Sequence, residues 1–146
     1  MSVLLDTNIL TRSTQPAHPM HASALNAVST LRMSGEDLCI VPQNLVEFWA
    51  VATRPLSANG LEMTTAQTQI ELARIKSLFR FLRDNAFIHD EWETLVARHA
   101  VSGKNTYDAR LVAAMTAHGI AALLTFNGAD FKRFLGITVI SPADFS

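Results

Sequence analysis

Apolar residues gather first in "SVLLD", a short unbroken run that predicts a buried strand ending at Asp6. "NILTRS" behind it predicts the start of a short helix, with Asp6 or Thr7 at its cap. A longer helix is expected from about His18 to Met33, then a turn at "SGED" and a second buried strand at "LCIV". Pro42 supplies a break before "PQNLVEFWAVATR", where Leu45, Phe48, Trp49 and Ala52 recur at helical spacing. Past the loop "RPLSANGLE", an amphipathic helix is predicted from about Thr64 to Arg83. Its core positions would be Ile70, Ala73, Ile75, Leu78, Phe79 and Leu82. "AFIH" reads as a third strand and Asp90 to about Ala100 as a helix. The polar loop "SGKNT" leads into a helix at "YDARLVAAMTAH" that Gly119 closes. "IAALLTF" is a buried strand, "NGAD" opens a turn or short helix ending near Leu135, and "ITVI" is the last strand before "SPADFS".

Short buried strands alternating with amphipathic helices predict a mostly parallel sheet covered on both faces, in one layered α/β domain over residues 1–146. A chain of 146 residues buries a sizeable core without disulfide staples, and its single cysteine, Cys39, falls inside an apolar run as a small buried hydrophobe. Apolar runs stop well short of the roughly 18–20 residues of a membrane span, so the expected setting is soluble and cytoplasmic. Twelve basic against 13 acidic residues argue against a protein that coats nucleic acid by charge alone. One local cationic run, Arg74, Lys76, Arg80 and Arg83, reads first as a solvated helix face and second as an RNA track. Lys104 and Arg110 flank another candidate region.

Ligands of open parallel sheets sit at the carboxyl ends of the strands. Asp6 ends the first strand, while Asn127 and Asp130 follow "IAALLTF" directly, which makes all three candidates for one crevice. Glu47 lies at the margin of its helix's apolar stripe, where a plain surface glutamate would be unsurprising. Asp108 falls in the first turn of its helix, a place the helix dipole also favours, and Asp130 could cap "FKRFL". Clustered carboxylates repel one another unless a cation offsets them, and ligands that are all oxygen favour hard ions such as Mg²⁺ or Mn²⁺. Phosphodiester hydrolysis is the natural chemistry of such a site. His18 and His21 have the spacing of a zinc pair but lack a nearby third ligand, and neither a nucleophile elbow nor a glycine-rich phosphate loop is present.

"LLDTNIL", "VEFW", "GKNTYDARLVAAM" and "LLTFNGADFKRF", in that order over nearly the whole chain, resemble the motifs of PIN-domain nucleases, especially the toxin subunits of VapBC-type toxin–antitoxin pairs. The resemblance implies a three-layer α/β/α sandwich around a five-stranded parallel sheet. It also implies a Mg²⁺- or Mn²⁺-dependent endoribonuclease acting on RNA, a small antitoxin protein as partner, and a homodimer. Asp6, Glu47 and Asp108 match the three acidic metal positions, with Thr7 and Asn8 supporting the first. The fourth position departs from the pattern: two residues after Thr125, where an acid is common, stands Asn127, which could offer an amide oxygen, and Asp130 three residues later is the fourth candidate at the metal, reaching it through water. Two alternatives stand beside this reading. One is a catalytically silent PIN-like module that binds RNA or protein. The other, ranked lower because Asn8 replaces a second aspartate, is an aspartyl-phosphate phosphotransferase using Asp6.

Overall fold

The computed structural model describes residues 1–145. Five strands, β1 (Ser2–Leu5), β2 (Asp37–Ile40), β3 (Arg80–Phe81), β4 (Ala122–Leu124) and β5 (Thr138–Ile140), form one parallel sheet in the order β3-β2-β1-β4-β5. Six helices accompany them: α1 (Thr7–Ser13), α2 (His21–Met33), α3 (Pro42–Thr53), α4 (Thr65–Leu78), α5 (Phe87–Arg98) and α6 (Asn105–Ala117). Short 3₁₀ segments occupy Leu56–Ala58, Gly128–Phe131 and Pro142–Phe145.

The central strands are apolar on both faces because helices cover both. Val3, Leu5, Leu38, Ile40, Ala122 and Leu124 pack against buried residues of α1, α2, α3 and α4, including Ile9, Ala27, Phe48 and Ile75. Leu4, Cys39 and Leu123 point the other way, onto Ile88 and Leu95 of α5 and the run Leu111–Met115 of α6. Alternation along each strand therefore sorts the side chains into two cores, and the result is an α/β/α sandwich. Burial raises the Cys39 thiol above its ordinary pKa, as suits an inert core residue.

The third strand lies elsewhere than "AFIH". α4 stops at Leu78, Phe79 turns extended (φ −129°, ψ 153°), and the Leu82 amide donates to the Ile40 carbonyl at 2.9 Å, so the edge strand is "RF". "AFIH" instead opens α5, where Ile88 and Leu95 share one buried face and Phe87 stands out in solvent. A four-residue apolar stretch suits either period, and seven-residue spacing to Leu95 decides for the helix. α5 accordingly begins three residues before Asp90, and α2 begins at His21, behind Pro19 and a chain of turns.

α4 is less buried than its pattern suggests. Ile75 and Thr68 face the core, Phe79 and Leu82 are half-buried beyond the helix, and Ala73, Leu78 and Ile70 are exposed, the last at 70%. A helix over the short edge strand has little sheet to cover. α6 ends as expected: Gly119 (φ 69°) lets its own amide reach Thr116 and the Ile120 amide reach Met115 at 2.8 Å.

Candidate active site

β1 lies between β2 and β4, so the chain leaves it toward one side of the sheet and later returns to the other. The crevice between the carboxyl ends of β1 and β4 is where such sheets bind ligands. Asp6 sits there. Its amide donates to the Leu124 carbonyl at 2.9 Å, continuing the ladder for one residue before the chain turns into α1.

The Asp6 carboxylate is held at both oxygens. Oδ1 accepts the Thr7 amide at 2.7 Å, the cap of α1, and Oδ2 accepts the Thr125 hydroxyl at 2.7 Å. Thr125 Oγ1 in turn accepts from the side-chain amide of Asn8 (3.3 Å) and from the Asn127 backbone (3.0 Å), which uses its one donor and both acceptor positions. The Asn8 carbonyl oxygen accepts the Phe126 amide at 3.3 Å, tying α1 to the chain leaving β4.

Glu47 is fixed just as fully from α3. Oε1 accepts the Thr7 hydroxyl at 2.7 Å and Oε2 accepts the Gln43 amide at 3.2 Å. Asn44, fully buried, ties the two halves: its amide donates to the Leu5 carbonyl (3.0 Å) and to Thr7 Oγ1 (3.3 Å), while its carbonyl oxygen accepts the Val41 amide (2.9 Å). Gln43 reaches across to α6, donating to the Tyr107 carbonyl at 2.7 Å and accepting from Arg110 at 3.3 Å. Among the described residues six polar side chains are buried, and Thr7, Gln43, Asn44 and Thr125 belong to this network, so the protein's buried polarity is concentrated at the site.

The carboxylate of Asp108, in the first turn of α6, accepts no hydrogen bond among the described residues. It lines the same cleft as Asp6, Thr7, Asn8, Glu47 and Asn127, a cavity of about 600 Å³. Burial raises the Asp6 carboxyl from 3.8 to about 6, against the two hydrogen bonds that lower it, with Glu47 and Asp130 adding to the rise. Asp108 is also raised to about 6, first by burial, then by Asp6, Asp130 and Glu47, and Arg133 opposes. Asp130 therefore lies within electrostatic reach of both carboxylates. It is nonetheless exposed and outside the cleft lining, and its carboxylate accepts no hydrogen bond among the described residues, so it does not cap the helix after it. Asn127 holds the position before the 3₁₀ segment, and its backbone carbonyl accepts the Asp130 amide at 3.0 Å.

Among the described residues, no three His, Cys, Asp or Glu side chains are gathered closely enough to hold a metal ion. The donor set nonetheless fits a hard divalent cation. Every candidate ligand is an oxygen, Asp6 and Glu47 keep unused lone pairs, and the Asp6 and Asp108 carboxyls, raised first by burial and then by neighbouring carboxylates, are groups whose charged form a bound cation would favour. The cationic run is not one helix face: only Arg74 and Lys76 lie on α4, and Arg74 pairs with Glu71 at 2.9 Å, Arg80 of β3 with Asp37 at 2.7 Å, and Arg83 beyond the strand lies over the Phe81 ring.

Residues 3–135 match the family model of the PIN domain. The chain belongs to the PIN domain family. No curated protein matches it. This PIN domain has the fold of a chain in the crystal structure of VapBC2 from Rickettsia felis bound to a DNA fragment from their promoter. There the identity is 18% over 97% of this chain and 98% of that one, with a TM-score of 0.72. VapC20 of Mycobacterium tuberculosis, described as a Sarcin-Ricin loop cleaving toxin, is 16% identical over 90% and 95% of the two chains, with a TM-score of 0.66. A toxin–antitoxin complex from Klebsiella pneumoniae gives 20%, 96%, 97% and 0.61. At these identities the likeness is one of fold.

Gln43 and Asn44, which orient the PIN domain's acidic pair, were not legible as site residues. The available signal is two amides directly behind Pro42, with Gln43 one helical turn before Glu47. Arg133, which opposes the rise at Asp108, also escapes sequence reasoning.

Proposed function

We propose that this PIN domain is a Mg²⁺- or Mn²⁺-dependent endoribonuclease and the toxin of a toxin–antitoxin pair. The observation that carries the reading is the convergence of Asp6, Glu47 and Asp108, from three separate elements, on one cleft at the switch point of the sheet. Asp6, Glu47 and Asp108 would hold the ion. When bound, it supplies positive charge against the phosphodiester and makes water a better nucleophile.

The chain's own residues do the positioning. Thr7 and Thr125 turn one oxygen each of Glu47 and Asp6 toward the protein, leaving the free lone pairs for the cleft. Asn44 locks Thr7, so both carboxylates are organised before substrate arrives. Asp108 has no such tether and can adjust to its ligand. Tyr107, 62% exposed on the cleft wall, offers a ring on which a single-stranded base can stack. Asn127 and Asp130 take secondary roles at the rim, the second through charge.

The toxin assignment draws on structures of toxin–antitoxin complexes with this fold. A small antitoxin in the cytoplasm would silence the cleft most simply by placing a cationic side chain against the carboxylates. A homodimer fits the exposed apolar side chains Met33, Ile70 and Phe87, and light scattering should give more than the monomer mass of 16.0 kDa at micromolar concentration.

One observation favours a second reading, a silent module that binds RNA or protein: the fourth acidic position is Asn127, and among the described residues no three carboxylates are drawn close enough to hold a metal ion. Purified protein incubated with an RNA pool and Mn²⁺ separates the two. Cleavage that Asp6→Ala and Asp108→Ala abolish supports the nuclease. An intact pool, or variants that cut as well as the wild type, supports the module. Sequencing RNA ends after expression in a bacterial host would then identify the target.

A further inference from the structure

The cleft has a second, basic half. α1 begins behind Asp6 and carries Arg12 in its last turn; α3 carries Glu47 and is followed directly by Arg54. Both arginines line the same cleft as the carboxylates. At 1.5 Å per residue, Arg12 stands about 9 Å along its helix from Asp6, and Arg54 about 10 Å from Glu47. α1 and α3 thus each carry a guanidinium at the far end, with Asp6 at the cap of the first and Glu47 midway along the second.

Among the described residues neither arginine has an acidic partner. Arg12 Nη1 donates to Gln15 at 2.8 Å, and its Nε is buried without a hydrogen-bond partner. The Arg54 side chain is exposed and makes no hydrogen bond or ion pair. A buried guanidinium N–H left unmade is costly, and a ligand that accepts from it would remove the cost.

The wall that presents Arg54 is tightly made. The chain folds back after α3, with the Gly60 amide on the Pro55 carbonyl and the Glu62 amide on the Arg54 carbonyl, both at 2.9 Å. A β-carbon at Gly60 would run into that Arg54 carbonyl. Asn59, in the left-handed conformation at φ 60°, adds a polar side chain to the cleft beside it. Two unpaired guanidiniums converging on a cleft select a phosphate, whose oxygens accept from planar N–H forks.

We infer that Arg12 and Arg54 bind a second backbone phosphate of the RNA strand, away from the phosphodiester held at the carboxylates. The strand then runs from the acidic to the basic half of the cleft. The identity of that strand rests on the ribonuclease reading; the anion site rests on the arginines.

The test is fluorescence anisotropy of a labelled single-stranded RNA, in an Asp108→Asn background that keeps the RNA intact, with Arg12→Gln and Arg54→Gln. Each substitution should weaken binding about tenfold, as loss of a charge-assisted contact does, and the two together should flatten the salt dependence by about 0.7 in log–log slope for the phosphate lost. With Mn²⁺ and an intact Asp108, KM should rise while kcat holds. Arg54→Gln carries the decision if Arg12→Gln disturbs α1, because the Arg54 side chain is exposed. Unchanged affinity and salt slope in Arg54→Gln, in a protein that still cleaves RNA, overturns the phosphate site and leaves the nuclease standing. Weakened binding in a protein that cleaves nothing keeps the phosphate site and removes the nuclease. Absence of RNA binding in the background protein overturns the site.

Discussion

The four carboxylates divide into a bound half and a free half. Asp6 and Glu47 each have both oxygens hydrogen-bonded to the scaffold, whereas Asp108 and Asp130 have none. Position in the fold explains the division. Asp6 and Glu47 meet where β1, α1 and α3 pack, and Thr7 and Asn44 are buried between them; Asp108 comes from the opposite helical layer, and Asp130 from an exposed 3₁₀ segment. The site thus has one rigid and one untethered half, and the Asp6 and Asp108 carboxyls are both raised, first by burial and further by the neighbouring carboxylates.

Substitution should expose the two halves differently. The largest effect is expected on turnover: Asp6→Asn and Asp108→Asn should each lower kcat for RNA cleavage by about 10²–10³, the scale of losing one preorganised electrostatic element. Stability should then separate them. Asparagine at 108 removes a strained charge and should raise the melting temperature of the metal-free protein. At position 6 the gain is offset, because Thr125 Oγ1 already accepts two hydrogen bonds and cannot take a third from a side-chain amide. Equal shifts in thermal unfolding would show that the two halves are alike.

Next in size is the amide that joins the bound half. Asn44→Ala leaves the Val41 amide, the Leu5 carbonyl and Thr7 short of partners inside the core, at a cost of about 2–4 kcal/mol in chemical denaturation. A loss below about 0.5 kcal/mol, the range of an ordinary surface change, would remove Asn44 from the account.

How far the sequence discloses this arrangement depends on range. β1, β2, β4 and β5 are legible because each is an apolar run closed by a polar or breaking residue. β3 is not, since two residues beside Ile40 are a strand only by virtue of their neighbour. Asp6, Glu47 and Asp108 stand in recognisable motifs. What holds them does not: the Thr7–Glu47 bond spans 40 residues and the Thr125–Asp6 bond 119, separations at which no local pattern shows the partner. Arg12 and Arg54 are hidden for the same reason, being ordinary helix-end cations until α1 and α3 are packed together. The departure at Asn127 is legible, but the exposure of Asp130 is not.

Acidity offers a finer view of the same contrast. Asp6 and Asp108 titrate near 6 when folded and near 3.8 when unfolded, so between those values the folded metal-free protein holds more protons. The stability these two groups contribute is therefore greatest below about pH 3.8, falls as pH rises toward 6, and is level above it. Urea midpoints should show this decline in wild-type protein relative to Asp108→Asn, and Mn²⁺ should suppress it. A difference that grows as pH falls would carry the wrong sign. The smallest effect belongs to Asp130→Asn, which should change stability by less than about 0.5 kcal/mol and lower cleavage only at limiting Mg²⁺. A large loss that excess metal fails to restore would give Asp130 a direct role.

The most direct test of the proposed cation site is the Mn²⁺ dependence of thermal unfolding at pH 7, wild type against Asp108→Asn. Metal that binds only the folded state raises the melting temperature in proportion to its affinity. Wild-type protein should start lower and climb with Mn²⁺, while Asp108→Asn should start higher and stay nearly flat. Equal Mn²⁺ stabilisation of the two proteins, or none in either, would contradict a site completed by a cation between Asp6, Glu47 and Asp108.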